Sequence, residues 1–211
     1  MTDDKTSRDR RSYHHGNLRE ALIEAALKLI NEHGSDGVTL SEAARIAGVS
    51  AAAPYRHFKD RNSLMTAVAE QGFAIFAEVL EKARAAQTRD PVKALMGIGD
   101  AYLDFSRRAP AYYAAMFEAG IAHGSTPDLA RESARAFNVL RDAATDIHAI
   151  LPADRRAPAL MIALHVWSLT HGVASLFLRG DNARRNLPVK PEDLLESGVL
   201  IYLDGLGYRP R

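Results

Sequence analysis

The stretch that most restricts the fold of this chain is TLSEAARIAGVSAAAPYRHF, residues 39–58. Thr39-Leu40-Ser41-Glu42 is a Thr-x-x-Glu capping box, in which the threonine oxygen accepts from a first-turn amide and the glutamate reaches back. A helix therefore starts after Thr39. Gly48 stops it near Ala47, since glycine reaches positive φ cheaply. Ser50 is expected to cap a third short helix ending around His57-Phe58. Ala43, Ala44 and Ala47 are small enough for the two helices to approach closely. Ile46, Val49 and Phe58 supply apolar anchors. Two short helices over a tight glycine turn have the logic of a helix-turn-helix.

The same punctuation recurs along the chain, and strand signals are weak throughout. Residues 1–13 are polar and mixed in charge and read as a flexible arm. A first helix is expected over Leu18–His33, with Asn17 as N-cap, an apolar stripe of Leu18, Leu22, Ala25 and Leu29, and Gly34 after its end. Asp60 or Asn62 opens a long fourth helix reaching about Arg84. Asp90-Pro91 starts a fifth, with proline in the favoured first position, and Ala109-Pro110 breaks it. A short aromatic helix follows over 111–117, then a loop to Ser125, and Thr126-Pro127 opens a helix to about Leu151. Residues 155–179 form an apolar helix, residues 180–190 a polar loop, and the last helix runs over about 191–204. The expected fold is all-α. A three-helix helix-turn-helix domain occupies 14–74, and a helical bundle for ligand binding and dimerisation occupies 75–211, with the boundary inside the long fourth helix near Gln71.

Composition excludes several classes of function. No cysteine is present among the 211 residues, so disulfides, thiolate nucleophiles and Cys-based zinc sites are ruled out. No Gly-x-Ser-x-Gly elbow, His-Glu-x-x-His or P-loop occurs, so no enzyme, metal or cofactor is expected. His14-His15 sits on the arm with its side chains pointing apart, and reads as solvated rather than metal-binding. Residues 157–178 lack Asp, Glu, Lys and Arg over a length that could cross a bilayer. They carry Pro158, His165, Thr170, His171 and Gly172, which is costly in hydrocarbon, and the expectation is a buried or interface helix in a cytoplasmic protein without a membrane.

The formal net charge of the chain is +1, so a nucleic-acid reading must rest on local charge. Between Thr39 and Asn62, Arg45, Arg56, Lys59 and Arg61 face Glu42 and Asp60. A modest excess of this kind is usually a solvated face. Beside a helix-turn-helix it becomes a set of phosphate partners. Residues 13–76, with YHHGNLREALIEAALKLI, GVTLSEAARIAGVS and PYRHFKDRNSL in order, resemble the DNA-binding domain of the tetracycline-repressor (TetR) family. The resemblance implies Thr39 and Tyr55 on phosphates, residues after Ser50 (Ala51, Ala52, Ala53) near bases, and Lys59 and Arg61 at the backbone; His57 is a further phosphate partner by its chemistry. Arg8, Arg10 and Arg11 would add contacts from the arm, in the minor groove. Pro54 departs from the family pattern and removes an N–H early in the recognition helix. Downstream, Trp167-Ser168-Leu169-Thr170-His171-Gly172 resembles the Trp-x-x-x-His-Gly signature of one C-terminal group in that family.

A candidate pocket set is Met96, Tyr102, Phe105, Tyr113, Met116, Phe117, Met161, Trp167 and His171, with Tyr112 and His148 beside it. Each alone fits a core position; together they fit an apolar pocket with a few polar points. The resulting expectation is a ligand-responsive regulator, a repressor released from its operator by a small hydrophobic effector. Its partners would be double-stranded DNA with a near-palindromic operator, and a second copy joined through the helices at about 155–179 and 191–204. The rival is a DNA-binding protein of the same fold controlled by a protein partner, or acting in chromosome organisation.

Overall fold

The computed structural model describes residues 18–87, 89–178 and 188–209. Eight α-helices lie among them: α1 (Leu18–His33), α2 (Leu40–Ile46), α3 (Arg61–Ala85), α4 (Pro91–Arg108), α5 (Pro110–Phe117), α6 (Pro127–Ile150), α7 (Ala159–Leu178) and α8 (Pro191–Gly205). Short 3-10 helices cover Ser35–Gly37, Ala53–Arg56 and Ala153–Arg155, and no strand occurs among the described residues. The fold is all-helical. The arm with Arg8, Arg10, Arg11, His14 and His15, the Asn17 cap and most of the 180–190 loop lie outside the described residues.

The caps form where the sequence places them. Asp60 and Ser63 exchange two hydrogen bonds at the start of α3 (2.8 and 3.1 Å). Asp90 accepts from the amides of Val92 and Lys93 ahead of Pro91, and Thr126 accepts from Leu129. One expected boundary is corrected. The apolar helix begins at Ala159 and not near 155, because residues 153–155 form a separate 3-10 turn and Pro158 caps α7 through its carbonyl.

The chain divides into two compact units, one running to Gly72 and including Ala111–Ala130, the other comprising Phe73–Pro110 and Arg131–Arg211. In the N-terminal unit Leu22, Ile23, Leu29, Phe58, Leu64 and Met65 close a core to which α5 adds Ala111 and Ala115. Two polar chains link α1 and α3 to later parts of the same unit, one to α5 and one to the cap of α6. Glu20 of α1 accepts from Gln71 of α3 (2.8 Å), which accepts from the Tyr112 hydroxyl of α5 (3.3 Å). Beside it, Arg19 lies 4.0 Å from Glu70, which accepts from the Thr126 hydroxyl (2.6 Å). Burial, with Glu20 and Glu24 nearby, pushes the Tyr112 hydroxyl pKa up.

In the C-terminal unit α4 buries Leu95, Ile98, Tyr102, Leu103 and Phe105 on one face. Helix α8 lies close on α4 and α7. A Cβ at Gly99 would come within 2.7 Å of a Leu195 methyl, and one at Gly198 within 2.8 Å of a Leu169 methyl, so a larger residue at either position would have to displace the facing leucine side chain. Both α3 and α7 are long and apolar enough to cross a membrane by composition; α3 is mostly buried, while α7 keeps much of its surface exposed.

Candidate functional site

The turn is built from backbone geometry. Thr39 is extended (φ −132°, ψ 153°) and its Oγ1 accepts from the Glu42 amide at 3.1 Å. The capping box is only half formed, because the Glu42 carboxylate accepts from Arg45 Nε at 2.8 Å. Gly48 has φ +70°, and a Cβ there would meet nothing within 4 Å, so the requirement for glycine is conformational and not steric. The Val49 amide then returns to the Ala44 carbonyl at 3.0 Å and closes the turn.

The expected recognition helix is corrected. Residues 51–57 hold no α-helix, only the 3-10 turn Ala53–Arg56. An α-helix capped at Ser50 would need the residue-54 amide to bond the Ser50 carbonyl, and Pro54 has no N–H. Ala53 makes that contact instead, one residue short, at 3.0 Å. Pro54 is buried, and Phe58 anchors the end of the turn beneath the Arg19 guanidinium, 5.8 Å from its ring centre.

This turn presents the other candidates outward. Thr39, Ser50, Ala51, Ala52, His57 and Lys59 are exposed, and Ala53 is half-buried. Tyr55 is 60% exposed, and no other large apolar side chain in the described part of this unit is exposed to that degree. Arg45 and Arg56, counted at first only as local charge, are exposed on the same segment. Arg61 is differently placed. Its Nε donates to the Val38 carbonyl (3.1 Å) and its Nη2 to the Ser35 carbonyl (2.6 Å), so the guanidinium holds the 35–38 turn against the start of α3.

The pocket candidates separate. Tyr113, Met116 and Phe117 belong to the N-terminal unit, where the Tyr113 and Phe117 rings pack at 5.0 Å and His123 meets the Met116 carbonyl at 3.1 Å. Met161 is 42% exposed on α7, and Met96 is half-buried on α4. Within the C-terminal unit Tyr102, Phe105, Trp167 and His171 do assemble. The Tyr102 hydroxyl lies 2.7 Å from His171 Nδ1, and the Tyr102 ring meets Trp167 edge-on at 6.2 Å. Phe76 links Tyr102 (5.0 Å) to Phe105 (4.9 Å), and Phe137 packs on Trp167 (5.5 Å). His148 faces the Ala157 carbonyl at 2.8 Å.

The cavity at this cluster is lined by Leu80, Ile98, Gly99, Tyr102, Leu140, Val166, Trp167 and Thr170 and measures about 10 Å³. That is room for about one water. Sequence reasoning missed most of this lining. Ile98, Gly99, Val166 and Thr170 lie one to four residues from Tyr102 or Trp167, so the helical neighbours of those aromatics were the available signal. The Thr170 hydroxyl is buried and bonds to the Val166 carbonyl at 2.8 Å. No group of three or more metal-ligating side chains is found among the described residues.

Comparison with known proteins bears on both halves. Residues 22–68 match the family model described as bacterial regulatory proteins, tetR family, and residues 95–201 match the one described as tetracyclin repressor-like, C-terminal domain. The chain is 49% identical over 47 residues to the HTH-type transcriptional regulator BetI of Agrobacterium fabrum, a match covering 22% of this chain and 23% of that protein. It is 44% identical over 52 residues to the class C tetracycline repressor protein of Escherichia coli, covering 25% of this chain and 24% of that one. In these matches the chain spans about a quarter of the length of its curated relatives. Among solved structures, a protein with unknown function from Rhodococcus sp. RHA1 superposes with a TM-score of 0.77 at 27% identity, covering 93% of this chain and 98% of that one.

Proposed function

Because the chain belongs to the tetracycline-repressor family, we propose that it is a DNA-binding transcriptional regulator, a repressor that leaves its operator when a small hydrophobic effector binds. The observation that carries the DNA reading is the Gly48 turn, closed over an apolar core and presenting Tyr55, His57 and Lys59 outward. In this reading residues 14–74 bind DNA, and residues 75–211 carry dimerisation and effector binding. Thr39, Tyr55, His57 and Lys59 contact phosphates. Ser50, Ala51, Ala52 and Ala53 bring backbone and methyl groups close to base edges. Arg61 both fixes the turn, through the two donors held by Val38 and Ser35, and offers its remaining donors to the DNA backbone. No catalytic role is assigned, and the protein works in the cytoplasm.

A second copy pairs through α7 and α8, whose outer faces carry Leu160, Leu164, Leu176, Leu194 and Ile201 in solvent. Two copies place two turns about 34–36 Å apart, so the operator is near-palindromic. Effector binding at the Tyr102–Trp167–His171 cluster shifts the balance between two arrangements of the bundle, and α3 continues from the bundle into the N-terminal unit. The experiment is DNA binding followed by fluorescence anisotropy across a salt series. Tyr55→Phe and Lys59→Ala each weaken binding to all DNA sequences, and Lys59→Ala lowers the salt slope by about one. Affinity and slope unchanged in both variants remove the phosphate assignments.

The small volume at the Trp167 cluster favours a second reading: the same DNA-binding protein, controlled by a protein partner or acting in chromosome organisation, with no effector entering that cavity. Trp167→Ala separates the two. It enlarges the cavity, and under the effector reading it alters release from DNA more than DNA affinity itself.

A further inference from the structure

The recognition segment divides into two halves of different chemistry. From Ala51 to Pro54 no side chain carries a donor or an acceptor, and Pro54 also lacks its N–H. Ala51 and Ala52 are exposed, Ala53 is half-buried and Pro54 is buried. Beyond it Tyr55, Arg56, His57 and Lys59 are exposed and all polar. In the major groove guanine, adenine and cytosine are told apart by hydrogen-bonding groups, which a methyl side chain cannot answer. Thymine alone adds a methyl of its own, and an alanine can meet that. The Ser50 hydroxyl, exposed ahead of the alanines, both donates and accepts and so fits any base.

The neighbouring guanidiniums are placed elsewhere. Arg45 Nε donates to Glu42 at 2.8 Å, and Arg61 is anchored on the Val38 and Ser35 carbonyls. Side chains three apart eclipse in a 3-10 helix, so Arg56 lies over the half-buried Ala53. Ala52 already has right-handed helical angles at the head of that turn (φ −84°, ψ −21°). Its methyl therefore shares a side with the exposed Tyr55 ring. The side that carries the Tyr55 hydroxyl to a phosphate also carries Ala52 to the adjoining base edges.

We propose that this chain reads its half-site chiefly through thymine methyl groups, met by the methyls of Ala51 and Ala52. The inference rests on the DNA reading above and adds what that surface discriminates: thymine against cytosine at the steps under the two alanines. Each contact of methyl on methyl takes a small apolar area out of water and contributes about fourfold in affinity. A bidentate arginine on guanine contributes more, so the half-site is read by small increments.

The test is fluorescence anisotropy of the full chain on a duplex selected by it from a random pool. Thymines are replaced singly by uracil, which removes the methyl and keeps every hydrogen-bonding group. Uracil weakens binding about fourfold at one or two steps of each half-site and is neutral elsewhere. Cytosine at those steps weakens it further, and 5-methylcytosine recovers about fourfold of that loss. Ala51→Gly combined with Ala52→Gly binds the thymine and uracil duplexes equally. Both duplexes are measured on one preparation, so a smaller folded fraction cancels in the ratio. Equal binding of thymine and uracil duplexes by the unsubstituted chain, or a half-site without thymine, overturns the proposal and leaves the DNA reading standing. Discrimination that survives in the double glycine variant also overturns it, as does a guanine-rich half-site whose preference disappears in Arg56→Ala. Failure to enrich any duplex overturns the proposal together with the reading it rests on.

Discussion

Among the described large apolar side chains the N-terminal unit exposes Tyr55, whereas the C-terminal unit leaves Leu160, Met161, Leu164, Leu176, Leu194, Leu200 and Ile201 in solvent on α7 and α8. The first has closed its own core and offers the solvent an aromatic ring with a polar tip, suited to a wet, charged partner. The second has a core around Tyr102 and Leu103 and an aliphatic face still uncovered. No formal charge interrupts α7 from Ala159 to Leu178. One unit is complete and adds a ligand; the other reaches its full burial only against something apolar, which under the proposal is its own copy.

Breaking the uncovered face should have the largest effect. Leu164→Glu combined with Ile201→Glu buries charge in the pairing surface and yields a monomer in sedimentation. Loss of the second half-site contact then lowers operator affinity by about a hundredfold or more. A variant that stays dimeric would show that α7 and α8 are covered by something other than a second copy. Next comes Gly48→Val in the complete unit. With nothing near its Cβ, the cost is the positive φ alone, about 1–2 kcal/mol in chemical denaturation. A neutral result would mean that the turn relaxes. Tyr102→Phe should follow, costing about 1 kcal/mol through loss of the hydroxyl contact with His171.

The smallest effect is a pH dependence inside the C-terminal unit. Burial, and the carboxylates of Glu192 and Glu196, raise the Asp100 pKa, with Arg107 opposing. The native state thus holds this proton more tightly than the unfolded chain, so stability falls as pH rises from the ordinary aspartate range through the raised value. Asp100→Asn should stabilise the protein slightly at neutral pH and flatten that part of the profile. An opposite shift would mean that Arg107 dominates. Glu81 behaves in the reverse sense. Arg135 holds its pKa down, and the stability it contributes is lost as pH falls through the lowered value.

Much of the N-terminal unit could be read from sequence because its signals are local. Thr39, Gly48, Asp60 and Thr126 act on residues within a few positions, and each performs its expected turn or cap, as Asp90 does in the other unit. The recognition segment departs from its expected helix at Pro54, where one missing N–H at the first α-helical bond holds the segment to a 3-10 turn. The packing of Ala111 and Ala115 with α1 and α3 was not legible, since an alanine-rich short helix carries no address for its partner. The pocket set failed in part for the same reason. Tyr113 and Met161 have the composition of a pocket, but which side each faces depends on contacts distant in sequence.

The central claim is that two copies of the Gly48 turn read DNA together. Selection of bound sequences from a random duplex pool by the purified protein tests it directly. The account predicts enrichment of an inverted repeat whose half-sites lie about 10–10.5 base pairs apart, or a multiple of that spacing, bound by an even number of chains. Enrichment of a single asymmetric site bound by one chain, or of no sequence at all, would contradict it.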